Sequence, residues 1–343
     1  MRVIVKSITL IVIFLVGMLA YVLYPPEPRA VTFPGGKRFA FSIVDDTDMA
    51  TLERAKPLYE LLHRYGFRTT KTVWVLESNE PSHAPNRGDT LHDPAYRAFI
   101  LDLEKWGFEI ALHGVRGGSS KRHDIIDGLE EFRRVLGEYP SIHINHSLNR
   151  DNVYWGEDRW SFAPFQWGYA LGGKYRFLGH ESASAYFWGD LLKKHVQYVN
   201  QFTYSEINLL AVNPSMPYRL ADKPYVNFWF PTADGDNLDR FEVLLSKANL
   251  DRLEREGGVC LVYTHMAAGS FNKNGGADPR FEARLKDVAS RDGWFVPASE
   301  ILDYLRVQPG WNADLSFRET VRLEVIFLWG AFLRSVLPLS LSS

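Results

Sequence analysis

From Arg38 onward the chain alternates short apolar runs with amphipathic stretches of helical period, the pattern of a parallel α/β architecture in which strands are covered by helices. Strands are expected at residues 39–44, 70–76, 108–112, 141–145, 225–230, 259–264 and 294–296. Helices are expected at 49–65, 124–136, 236–256, 279–291 and 299–305, with another ending near Trp106. Gly66, Gly107 and Gly137 stand where C-terminal caps belong, and Ser299 is a candidate N-cap. Residues 149–225 are the least regular part and read as an aromatic-rich insertion with long loops and a helix around 191–204.

Two further apolar segments lie outside this alternation. ITLIVIFLVGMLAYVL (residues 8–23) follows Arg2 and Lys6, and precedes a Pro-rich stretch without a small-residue cleavage site. It is read as an uncleaved signal anchor that makes the chain a single-pass cell-membrane protein, with the body on the periplasmic or extracellular side. VIFLWGAFL (residues 325–333) is too short to span a bilayer and reads as an interfacial helix or as a helix packed on the body. The expected organisation is thus an anchor at 1–24, a linker at 25–37, a barrel-forming body at 38–306 and a tail at 307–343.

Composition narrows the chemistry. Apolar residues are 46% and charged residues 23% of the 343, so most of the chain buries a core. Lys and Arg number 39 against 41 Asp and Glu, which leaves no positive field for a nucleic-acid backbone. The single cysteine, Cys260, excludes an intrachain disulfide and a cysteine-based zinc cluster, so a metal would be held by His and carboxylates. The 10 Trp, 16 Tyr and 22 Phe suit a carbohydrate cleft.

The conspicuous polar residues fall just past strand ends, where the loops of a parallel barrel converge on one mouth. Asp45 and Asp46 follow the first expected strand, His113 the third and His146 the fourth. Thr232 and Asp234 follow the strand carrying Trp229, and His265 follows residues 259–264. A carboxylate with two imidazoles is a normal three-donor set for a catalytic zinc or similar divalent ion, leaving positions for water and substrate. A second carboxylate is then a base, and His265 a proton donor. Asp45 and Asp46 equally suit an Asx turn, and Asp48 a cap for the helix expected from Met49.

These segments resemble the polysaccharide deacetylase family, carbohydrate esterases with a distorted, partly closed (β/α)7 barrel. FAFSIVDDTD (39–48) is similar to the family's Thr-Phe-Asp-Asp-Gly motif, GFEIALHG (107–114) to the strand bearing its first metal histidine, and LVYTH (261–265) to its late motif. GWFVPASEILDYL (293–305) looks like its closing strand and helix. The resemblance implies Asp45 as catalytic base, His265 as catalytic acid, and Asp46 and His113 as metal ligands. The family's second metal histidine would stand at position 117, which is Gly117. His146 is the preferred replacement and His123 the alternative; Arg116, Arg122 or Arg150 are candidates for the family's arginine. Trp155 and Asp234 are expected to bind substrate. The implied activity is removal of N-acetyl groups from a surface or extracellular polysaccharide. Two other readings are a silent barrel that binds glycan, supported by Gly117, and a metal-independent glycoside hydrolase pairing Asp45 with Asp234 or Glu181.

Overall fold

Strand residues that are apolar on both faces are stable only with cover on both sides, and this requirement organises the chain. The structure, a computed structural model, describes residues 20–27, 29–79, 87–173 and 175–336. Seven parallel strands run in order: β1 (Phe39–Asp45), β2 (Thr70–Val73), β3 (Glu109–Leu112), β4 (Ile142–His143), β5 (Tyr198–Tyr204), β6 (Phe228–Asp234) and β7 (Val259–Thr264). β7 pairs back onto β1 from Ala40↔Val259 to Asp45↔Thr264, which closes the barrel expected from the sequence. A short strand, Gly293–Phe295, adds to the lower half of β1 at Phe39–Phe41.

Every residue of β1, β6 and β5 except Thr203 is buried. Helices cover the outside. Leu52–Arg64 presents Ala55, Leu58, Tyr59, Leu61 and Leu62 to the sheet, and Arg122–Leu136 presents Ile125, Leu129, Phe132 and Leu136. Each large apolar side chain so buried contributes roughly 1.5–3 kcal/mol. Gly137, at φ 82°, ends the second of these helices as expected.

Four expectations are corrected. Residues 198–204 form β5 rather than helix; the helix there is only Gly189–His195. Asn200 and Gln201 are polar yet buried, the first donating to Phe230 O and Thr232 Oγ1, and this interrupts the apolar run that would have marked a strand. The helix expected at 236–256 is two helices, Leu238–Leu244 and Lys247–Glu256. Ser299 is not a cap, since its helix starts at Ala298 behind Pro297. The first helix begins at Leu52, capped by Thr51 Oγ1 accepting from Arg54 N at 3.4 Å, so Asp48 is released from the capping role.

The apolar tail belongs to a 20-residue helix, Phe317–Val336. Phe327 packs on Phe202 with ring centroids 4.6 Å apart, while Trp329 and Phe332 on the same helix are 59% and 52% exposed. Buried Glu324 ties this helix to the aromatic segment by accepting from Ser161 N and Phe162 N. Of the expected anchor, residues 20–23 are helical, residue 24 is a bend and residues 1–19 lie outside the described residues. Among the described residues, no helix is long and apolar enough to cross a membrane.

Candidate metal centre and active site

The end of β1 divides its acidic cluster between two layers. Asp45, the last strand residue, is fully buried: Oδ1 accepts from Met266 N at 2.9 Å, and Oδ2 accepts from Tyr59 Oη at 2.9 Å and pairs with Lys71 Nζ at 3.2 Å. Burial opposes the Lys71 charge, but Asp45 beside it leaves the ammonium above its ordinary pKa. Asp45 therefore lies under the mouth, facing β2.

One residue on, Asp46 Oδ1 accepts from Asp48 N at 3.3 Å, an Asx turn that doubles the chain back over the strand end. Met49, at φ 59°, completes the reversal. Asp48 Oδ1 is thereby set 3.4 Å from His113 Nε2 and 3.5 Å from His146 Nε2. All three atoms are buried and none makes a hydrogen bond, although His113 Nε2 also lies 3.0 Å from Asp46 Oδ1. They lie within 4.8 Å of one another, the disposition of donors around a small cation. A buried polar atom without a partner is costly, and three converging on one point is the arrangement an ion would satisfy. The donors are two imidazoles and one carboxylate, which fits zinc or a similar divalent ion.

The two imidazoles are held from behind. His146 Nδ1 lies 2.8 Å from Asn149 Oδ1, leaving Nε2 for the cluster. The Trp74 ring stacks on His113 and meets His146 edge-on. Burial first, and then the His113 charge, holds His146 below the usual imidazole pKa. His123, the alternative to His146, is 73% exposed beside Asp124.

A second set of groups comes from β6 and β7. His265 Nδ1 lies 2.7 Å from Asp236 Oδ1, and its Nε2 lies 3.5 Å from Asp46 Oδ2. Tyr263 Oη donates to that same Oδ2 of Asp46. Burial disfavours the imidazolium, yet Asp46 and Asp236 together push His265 up to about 11. Burial likewise disfavours ionised Asp46, but His113 and His265 hold it well below the ordinary carboxylate range. The pair is thus a carboxylate facing an imidazolium across one wall of the cleft.

The cavity above these groups measures about 310 Å³, and its lining includes Asp46, Asp48, His113, Trp155, Arg159 and His265. Trp155, expected to bind substrate, lies in this lining. Asp234 and Asp45 are not in the lining: Asp234 is paired with Arg240 at 3.0 Å and Arg334 at 3.4 Å. Glu181 pairs with Arg176, so no two of the carboxylates suggested for glycoside hydrolysis face each other across this cavity. Arg116 and Arg122 are engaged by Asp124 and Asp190, and Arg150 lies over Tyr175.

Sequence reasoning missed Asp48 as a donor, Asp236, Lys71, Tyr263 and Arg159. Two of these had a signal: Lys71 is a charged residue inside an expected strand, and Asp236 stands two residues past Asp234 at the same strand end. Asp48 had none, because an Asp before a helix reads first as a cap.

No protein-family model matches the sequence, and no curated protein does. Among solved structures, Puue allantoinase superposes with a TM-score of 0.50 at 11% identity, over 85% of this chain and 98% of its own. A protein described as a probable polysaccharide deacetylase from Pseudomonas aeruginosa PAO1 gives a TM-score of 0.47 at 14% identity, over 84% of this chain and 96% of its own. At such identities the likeness is one of fold: this chain is a seven-stranded parallel barrel of the kind seen in Puue allantoinase.

Proposed function

We propose that the chain is a metal-dependent hydrolase that removes N-acetyl groups from a cell-surface or extracellular polysaccharide. The observation that carries this is the convergence of Asp48 Oδ1, His113 Nε2 and His146 Nε2, buried and without a hydrogen bond, next to a cavity lined by Asp46, Asp48, His113 and His265, with Asp236 behind His265. Asp48, His113 and His146 would hold the ion. A divalent ion bound there supplies Lewis acidity toward an amide carbonyl and lowers the pKa of water.

The remaining roles belong to the chain's own groups. Asp46, kept ionised, accepts the proton of the attacking water at a carboxylate oxygen, the role the sequence resemblance gave to Asp45. Asp45, bonded to Tyr59 and Met266 N below the cavity lining that Asp46 reaches, instead fixes the floor of the site. Asp236 accepts from His265 Nδ1, so the imidazolium directs its Nε2 proton into the cleft for the departing amine. The reaction consumes an amide and water and yields acetate and an amine. Gly117 does not argue for a silent barrel, because His146 from the end of β4 supplies the second imidazole.

The same reading keeps the chain at a membrane. Arg318, at the start of the C-terminal helix, donates to Tyr21 O at 2.8 Å and Tyr24 O at 2.9 Å, joining the end of the apolar N-terminal run to a helix with exposed Trp329 and Phe332. Acetate release from N-acetylated oligosaccharides by the full-length chain, measured with zinc and after chelation, tests the activity. Release that stops on chelation and returns with metal is expected. Release indifferent to chelation contradicts the proposal.

A further inference from the structure

One cation in the cavity has no counter-charge among the described residues. Arg159 ends the short turn Gly156–Arg159, and its guanidinium carbon lies 4.2 Å from the Trp155 ring centroid, 4.5 Å from Phe202 and 4.8 Å from Phe327. Three rings from three separate elements thus wall it in. No side chain among the described residues accepts from its guanidinium, and its Nε is buried without a partner. Yet Arg159 lines the same cavity as Asp48, His113 and His265. Other arginines of the body are spoken for: Arg122 by Asp190, Arg219 by Asp314, Arg240 by Asp234.

Burial lowers the Arg159 pKa only to about 10, so the side chain remains charged at neutral pH. Stacking on aromatic faces offsets part of the desolvation of a guanidinium, but it leaves the N–H donors unused. A desolvated, pre-oriented fork with free donors is the usual device for gripping a planar anion in two-point fashion. A single guanidinium, with Asp46 and Asp48 in the same lining, suits a monoanion better than a phosphate dianion.

We infer that Arg159 is the subsite for a carboxylate on the substrate, so that the glycan is an anionic one in which a uronic acid neighbours the acetylated amino sugar. The acetylated part of this inference rests on the function proposed above; the carboxylate part rests on Arg159 alone. Trp155, expected to offer a stacking face to sugar, instead acts as a positioning residue that holds the guanidinium.

The test uses two tetrasaccharides, one alternating N-acetylglucosamine with glucuronic acid and one of N-acetylglucosamine alone. Binding to the zinc-loaded full-length chain is measured by calorimetry, alongside amine release. The wild type should bind the uronate-containing tetrasaccharide about tenfold or more tightly than the neutral one. Arg159→Met should erase that preference, and Arg159→Lys should restore part of it as a point charge without the fork. A merely structural arginine would weaken both ligands alike and leave their ratio unchanged. Equal binding of the two by the wild type, or a preference that survives Arg159→Met, overturns the inference. Selective uronate binding without amine release from either compound supports the inference while counting against the hydrolase, so the two failures are separable.

Discussion

Asp45 and Asp48 are three residues apart and equally part of one acidic cluster, yet they sit in layers with opposite chemistry. In the lower layer carboxylate meets ammonium: Asp45 is paired with Lys71 and accepts from Tyr59 and Met266 N. In the upper layer Asp48 Oδ1, His113 Nε2 and His146 Nε2 are buried, make no hydrogen bond and face only one another and Asp46 Oδ1, 3.0 Å from His113 Nε2, with no Lys or Arg paired to Asp48 among the described residues. A saturated buried charge specifies the fold, whereas an unsatisfied convergence of donors specifies a ligand. The difference arises from the reversal at Asp46–Met49, which sends one carboxylate down the barrel and the other across its mouth.

The sharpest way to break the comparison is to exchange the effects of the two layers. His146→Ala should lower amide hydrolysis by at least about 10³-fold while leaving thermal unfolding nearly unchanged, as followed by acetate release and circular dichroism. Lys71→Met should do the reverse. It strands Asp45 as an uncompensated buried charge, lowers the unfolding free energy by about 3 kcal/mol in a denaturant titration, and spares metal affinity. If Lys71→Met instead abolished metal binding in a folded protein, the two layers would not be separable.

Smaller effects sharpen the picture of the mouth. Asp236→Asn removes the acceptor that fixes His265 and should cost about 10²-fold in kcat with little change in KM, readable from steady-state kinetics. Asn149→Ala frees the His146 ring and should weaken zinc binding by roughly tenfold in a competition titration. A further effect is read in the pH dependence of stability and lies in the segment after β4. Burial pushes Asp151 up to about 7 from an unfolded value near 3.8, so its folded form favours the neutral carboxyl. Its contribution to stability is present below the unfolded value and is lost as pH rises from about 4 through 7. Unfolding midpoints across that window should fall in the wild type, and Asp151→Asn should flatten that part of the slope.

The barrel was legible because strand-and-helix alternation survives in one dimension: residues 259–264 and the helix starting at Pro279 are found where the apolar pattern puts them. β5 was not, because Asn200 and Gln201 sit in a buried strand whose polar groups are satisfied only by partners distant in sequence, Phe230 O and Tyr218 Oη. At the site, the histidines could be read from strand ends. The division of labour among Asp45, Asp46 and Asp48 could not, since it depends on a turn whose hydrogen bond and positive φ leave no composition signature. Arg159 was equally silent, as its neighbours Phe202 and Phe327 come from elements far along the chain.

The central claim is that Asp48, and not Asp46 as the sequence resemblance implied, completes the metal site. Zinc content of the full-length chain, purified in detergent and dialysed against trace zinc, tests it most directly in parallel with Asp48→Ala and Asp46→Asn. The account predicts near-stoichiometric zinc in the wild type and in folded Asp46→Asn, and none in Asp48→Ala. Zinc retained by Asp48→Ala at the wild-type level would contradict it.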